Sequence, residues 1–205
     1  MAGALYHLGL LPEAERAVRS GLDAQPSADR SEALRTLGTV AIAAGRYTEA
    51  ASLLQDVQRL SDRPVSDTHL ATAYFYAGER ARAEALLDSL LTSHSASAAT
   101  RAQASLASFV ASRGDRARAL SLLARAERGM VDHHVAYSIG VAYAQLGDIA
   151  SAVRWLRTAM ETGFRCYPWY TRDPLLAPIR RDASYRALEA ELKRQWEKDR
   201  ARFGA

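Results

Sequence analysis

Apolar residues recur along this chain on two scales. Within short segments they fall at the three-and-four spacing of one helix face. Over longer distances the pattern repeats, because a glycine is followed five residues later by an alanine at the start of an apolar helix. The pairs are Gly9/Ala14, Gly45/Ala50, Gly78/Ala83, Gly114/Ala119 and Gly147/Ala152, with glycines 33 or 36 residues apart. Self-similarity at about 34 residues is the signature of a two-helix solenoid repeat, in which each unit buries only its neighbours. The expectation is an all-α protein, an α-solenoid of antiparallel helix pairs.

The second unit carries the pattern most fully. Leu34, Leu37, Gly38 and Ala41 share one helix face, Gly45-Arg46-Tyr47-Thr48-Glu49-Ala50 makes the turn, and Ala50, Leu53, Leu54 and Val57 line the next helix. Asp29 followed by Glu32 reads as a capping box. Gly38 inside a helix costs about 1 kcal/mol relative to alanine. Close approach of the paired helix is the compensating gain, with Ala50 as the small residue across the crossing.

Leu37-Gly38 and the Gly-x-Tyr-x-x-Ala run at 45–50 resemble the tetratricopeptide repeat. Three further units match with substitutions: Leu70-Ala71, Tyr74, Gly78 and Ala83; Leu106-Ala107, Gly114 and Ala119; and Ile139-Gly140, Tyr143, Gly147 and Ala152. The resemblance covers residues 1 to about 163 and implies a right-handed superhelix that works as a binding surface. It divides the chain into a truncated first repeat at 1–28 and repeats at 29–63, 64–97, 98–131 and 132–163. A proline-interrupted loop at 164–183 and a capping helix at 184–205 follow.

The first unit has only about eight residues before its turn, where a helix of roughly fourteen belongs. Either Met1 opens a shortened cap or the chain is cut from something longer, and the second reading is preferred. A half repeat exposes the apolar face of its neighbour, so self-association through it is an expectation. In the tail, prolines at 168, 174 and 178 argue against a regular helix. The last helix shows an apolar stripe at Tyr185, Leu188, Leu192 and Trp196 that suits a cap on the last repeat. Asp173-Pro174-Leu175 and Pro178-Ile179-Arg180-Arg181-Asp182 resemble the segment that follows the last repeat in bacterial serine/threonine kinases and winged-helix activators. That likeness implies a regulatory setting by association alone.

Composition narrows the function classes. Net charge is +4, and the arginines are scattered rather than striped, so nucleic-acid binding is not expected. Lysine occurs only at 193 and 198, an arginine bias read as GC-rich bacterial coding. A single cysteine, Cys166, excludes an internal disulfide and fits a reducing compartment. No secretory signal is visible and no apolar run approaches the ~20 residues that span a bilayer. A cytoplasmic protein without membrane insertion is expected.

Catalytic and metal chemistry finds little support. His133-His134 is the only histidine pair, and adjacent helical residues point about 100° apart, which suits two-ligand metal binding poorly. Asp132 before it reads as an N-cap. His7, His69 and His94 are isolated in sequence, and Cys166 sits among aromatics as a packed thiol. No phosphate loop, nucleophile elbow or Cys-x-x-Cys occurs, so neither enzymatic activity nor a cofactor or metal is expected.

The resemblance implies a concave groove lined by first-helix positions. Mapped onto this chain, those positions give Arg35 and Thr39 in the second unit and Thr72, Phe75 and Tyr76 in the third. The fourth supplies Arg101 and Ser108, and the fifth Tyr137 and Val141. Aromatic anchors beside two arginines suit a peptide or protein partner, one bearing a carboxylate in particular. Arg35 fits the family's basic peptide clamp, whereas Thr39 and His69 replace its asparagines. Phe75, Tyr76 and Tyr137 are equally open to a packing role, or to binding another part of the same parent protein. The preferred reading is a non-catalytic interaction module of a bacterial regulatory protein. The alternative is a sensor or autoinhibitory segment of a larger kinase or transcription regulator.

Overall fold

The computed structural model describes residues 1–24, 30–60, 68–92 and 95–204. Helix pairs follow the predicted period: α1 (Ala2–His7) with α2 (Leu11–Ala24), α3 (Arg30–Ala43) with α4 (Tyr47–Leu60), and α5 (Thr68–Tyr76) with α6 (Arg80–Leu91). They continue with α7 (Ala96–Ser112) and α8 (Arg116–Ala126), then α9 (His133–Leu146) and α10 (Ile149–Glu161). The first helices α3, α5, α7 and α9 form an inner layer, and each second helix packs against the next first helix. No strand occurs among the described residues. The predicted all-α solenoid is the observed architecture.

Each turn is built the same way. The five repeat glycines all adopt left-handed φ, between 75° and 91°, a region an L side chain enters only at a cost. At Gly45 this lets its N–H reach the Ile42 carbonyl at 2.9 Å and the Arg46 N–H reach the Ala41 carbonyl at 2.8 Å. Carbonyls left over at the end of α3 are thereby satisfied, as in a Schellman closure. Aspartates cap two of the helices that follow, Asp115 on α8 and Asp148 on α10, each accepting a backbone N–H bond. The predicted cap at Asp132 is present, accepting from His134 and Val135 at 2.9 Å each. The capping box predicted from Asp29 lies outside the described residues.

The crossing inside each pair differs from expectation in one respect. The residue that needs Gly38 to be small is Leu54 rather than Ala50: a Cβ at Gly38 would lie 2.6 Å from Leu54 Cγ. In the fifth unit a Cβ at Gly140 would lie 2.8 Å from Leu156 Cγ. Leu54 and Leu156 are fully buried against these glycines, and Leu87 and Leu123 are buried at the same phase of the third and fourth units. The physical reason is side-chain direction: Ala50 sits at the start of α4, one turn before the point of closest approach, and only packs beside it.

The tail is more ordered than a proline-interrupted loop. It holds α11 (Tyr167–Arg172), a 3-10 helix (Pro174–Ile179) and α12 (Ala183–Phe203). Pro168 sits in the first turn of α11, where its missing N–H has no partner to lose. The predicted stripe is buried at Tyr185, Leu188 and Leu192, so α12 does cap α10 and α11. Trp196 goes elsewhere, donating its Nε1–H to the Gly9 carbonyl at 3.1 Å in the first unit. The Arg165 N–H likewise reaches the His7 carbonyl at 2.9 Å. The array therefore curves until its beginning meets its end, and the first unit is covered by the tail at Gly9 rather than left open there. Met1 and Phe203 remain exposed beside it.

Two stability outcomes follow from this packing. Gly38→Leu and Gly140→Leu should each lower unfolding free energy by about 1–3 kcal/mol through overpacking; unchanged urea midpoints would refute the crossing. Gly9→Ala should be more damaging than Gly78→Ala. Both incur left-handed strain of roughly 1–2 kcal/mol, but only at Gly9 does the new Cβ meet the tail, 2.7 Å from Pro168 Cδ. Equal losses in the two variants would show that the tail does not dock there.

Candidate functional site: the concave groove

The inner helices bring together Thr72, Tyr76, Ser108, Tyr137 and Val141 around a concave cavity of about 80 Å³. Arg35, Thr39, Phe75 and Arg101 lie outside its lining. Part of that lining comes from the chain's own tail, through Phe164, Trp169 and Asp173. The segment from Arg165 to Leu175 crosses the groove and touches the first, second, third and fifth units.

Asp173 is the centre of this arrangement. It is fully buried, and its carboxylate accepts from Tyr76 Oη on Oδ1 and from Tyr137 Oη on Oδ2, both at 2.7 Å. Oδ1 also accepts the Leu175 N–H at 2.9 Å, capping the 3-10 helix. Arg180 donates to the Asp173 carbonyl at 2.7 Å. Burial pushes the Asp173 carboxyl above its usual range, against the opposing pull of the Tyr137 and Tyr76 hydroxyls. Burial and the facing carboxylate push both tyrosines well up, so they stay protonated donors.

Flanking contacts hold the tail in register. Arg172 donates to the Ala43 carbonyl at the end of α3, where a cation also meets the negative end of the helix dipole. Gln145 donates to the Leu175 carbonyl. Trp169 packs edge-on to Tyr76, with ring centroids 5.2 Å apart, and Tyr76 stacks on Tyr47 at the same distance. Tyr76 and Tyr137, two of the aromatic anchors expected to grip a partner, are thus engaged with the chain's own tail.

The other predicted lining residues have local partners. Thr39, Thr72 and Ser108 return their hydroxyls to carbonyls of their own helices, and Val141 is buried. Phe75 turns away from the cavity and stacks on Phe109, 3.9 Å between centroids and 5° from parallel, with Arg80 5.6 Å from its ring. Arg35 lies 3.6 Å from Glu32. Arg101 forms a two-pronged contact with Asp132 Oδ2, Nε at 3.0 Å and Nη2 at 2.6 Å, which ties α7 to the cap of α9.

Histidines isolated in sequence are close in space. His7 Nε2 is 3.2 Å from His134 Nε2, and the His69 ring lies 5.7 Å from that of His134. Burial lowers His7 to about 4 and His134 well below its ordinary value, with neighbouring imidazoles adding to both shifts. Cys166 is buried and burial pushes its thiol up to about 12, which leaves it protonated and a poor nucleophile. Sequence reasoning missed Asp173 and the meeting of His7 with His134. In the sequence Asp173-Pro174 stands out only as part of the likeness to regulator tails, and nothing local ties it to tyrosines 97 and 36 residues away.

A buried carboxyl with a raised pKa stabilises the fold most when protonated, and that contribution fades as pH rises through its folded pKa. Asp173→Asn does not titrate at this site. The stability of wild type relative to Asp173→Asn should therefore fall as pH is raised from about 4. Parallel pH profiles in urea unfolding would show that the carboxyl titrates as it does in the unfolded chain.

Two segments, residues 31–56 and 134–158, match the family model for the tetratricopeptide repeat. They coincide with α3–α4 and α9–α10, the two units in which a glycine faces the buried leucine. No curated protein matches the chain. No helix among the described residues is long and apolar enough to cross a membrane. Matched segments and observed helix pairs agree in phase, and the second and fifth units carry tetratricopeptide repeats.

Proposed function

We propose that this chain is a non-catalytic interaction module whose concave groove recognises an acidic turn of a peptide or protein partner. In the free chain its own tail occupies that groove. Tetratricopeptide arrays mediate protein–protein contact, and the observation that supports the finer reading is the clamp on Asp173: two tyrosine hydroxyls, from the third and fifth units, each bonded to one carboxylate oxygen. Charge-assisted bonds of this kind are the strong and specific ones. A partner presenting a carboxylate in the same turn geometry would compete with the tail for the clamp. Arg35 and Arg101, partly exposed at the groove's edges, would offer further charge.

A second reading, an internal sensor or autoinhibitory segment, draws on the same contacts. A groove covered by its own chain, with Arg172 fastened to the end of α3 and Asp173 to two further units, is the arrangement an intramolecular switch requires. The regulatory and bacterial setting rests on the likeness of residues 173–182 to the tails of bacterial regulators.

Asp173→Ala should free both tyrosines, loosen the tail and increase capture of partners from a lysate of the source cells. Adding Tyr76→Phe and Tyr137→Phe should reduce that capture at least about tenfold, the effect of losing roughly 1.4 kcal/mol of charge-assisted bonding. Hydrogen exchange over residues 164–182 should accelerate when a captured partner is added to wild type. Capture indifferent to all three substitutions would overturn the groove reading.

A further inference from the structure

His7 on α1 and His133 and His134 on α9 place three imidazole nitrogens within 4.8 Å of one another. The three rings are mutually close: centroids are 4.7 Å apart for His7 and His133, 5.2 Å for His7 and His134, and 4.4 Å for His133 and His134. A tetrahedral Zn²⁺ with Zn–N bonds of about 2.0–2.1 Å sets its ligand nitrogens roughly 3.3 Å apart. His7 Nε2 and His134 Nε2 already stand at 3.2 Å, close to that edge.

The third histidine carries an unsatisfied nitrogen. His133 Nε2 is buried and has no hydrogen-bond partner, although buried polar atoms ordinarily find one. A single hydrogen bond uses one donor and one lone pair of the His7–His134 pair and leaves His133 out. One cation would accept a lone pair from all three.

Adjacent histidines chelate poorly from one helix face, but His133 lies in the first turn of α9, and the third ligand arrives from another helix. The nearby carboxylate is committed elsewhere. Asp132 Oδ1 accepts two backbone N–H bonds and Oδ2 takes Arg101. A donor set of imidazoles alone selects Zn²⁺, Ni²⁺ or Cu²⁺ over Mg²⁺ and Ca²⁺, which require oxygen.

We propose that His7, His133 and His134 form a site for a late first-row divalent metal ion, Zn²⁺ by class, that joins the first helix to the fifth unit. Three protein ligands leave the fourth position of the tetrahedron for water or a group from outside. The ion would sit beside the Arg165 N–H to His7 carbonyl bond, where the beginning of the array meets its end. It would act as a clasp on that closure, because whatever binds the closed form alone stabilises it.

The test uses the tag-free full chain. Titration with Co²⁺ should give the visible absorption of a tetrahedral nitrogen-rich site, displaced by equimolar Zn²⁺. Zn²⁺ should raise the thermal midpoint, and Mg²⁺ should not. His133→Gln should weaken binding by more than the 10–100-fold that loss of an outer-shell partner costs, with circular dichroism unchanged. No Co²⁺ band and no midpoint shift would overturn the site, as would a response that His133→Gln leaves intact, since the ion would then be held elsewhere. Should His133→Gln fail to fold, pulsed EPR of the Cu²⁺-loaded wild type decides instead. Three coupled imidazoles support the site and fewer overturn it.

Discussion

The second and fifth units depend on one contact, a leucine of the second helix seated against a glycine of the first. Leu54 on Gly38 and Leu156 on Gly140 are so close that even a Cβ would intrude. Leu87 and Leu123 are buried at the same phase of the third and fourth units. This contact fixes the distance and angle of each helix pair, and so the small rotation between one pair and the next. Accumulated over the array, that rotation curves the inner layer until α1 faces the start of α9.

The groove owes its present contents to that curvature. The enclosed space is lined by tyrosines and small hydroxyl residues, and the tail after α10 is the nearest chain able to fill it. A carboxylate enters a buried apolar site only when its oxygens are satisfied, and the tyrosines of the third and fifth units satisfy both oxygens of Asp173. A polar group expensive to bury thereby becomes a register pin. It draws Arg172 to the end of α3 and sets the 3-10 helix against α9. Function and packing share residues here: the side chains suited to grip an acidic partner are those that grip the tail.

Closure has chemical consequences at the rim of the ring. His7, His133 and His134 are unremarkable on their own helices, and they become a cluster only because two ends of the array converge. Their burial follows from the same meeting, with Tyr6 and Phe164 packed around them.

The fold was legible in the sequence because its instructions are local. The Gly45 and Gly147 turns, the cap at Asp132 and the apolar stripe of α12 each lie within a few residues of the structure they specify. Helix formation and turn closure respond to neighbours three and four positions away. The resemblance names Thr72, Tyr76, Ser108, Tyr137 and Val141 as inner-face positions, and these five line the cavity. Phe75 escaped because a one-residue step around a helix turns a side chain by about 100°, from the groove onto Phe109. What fills the groove, and which histidines meet, was decided by tertiary structure alone. Those contacts link residues as far apart as His7 and His134, and they arise from the sum of many small inter-unit rotations that no local pattern records.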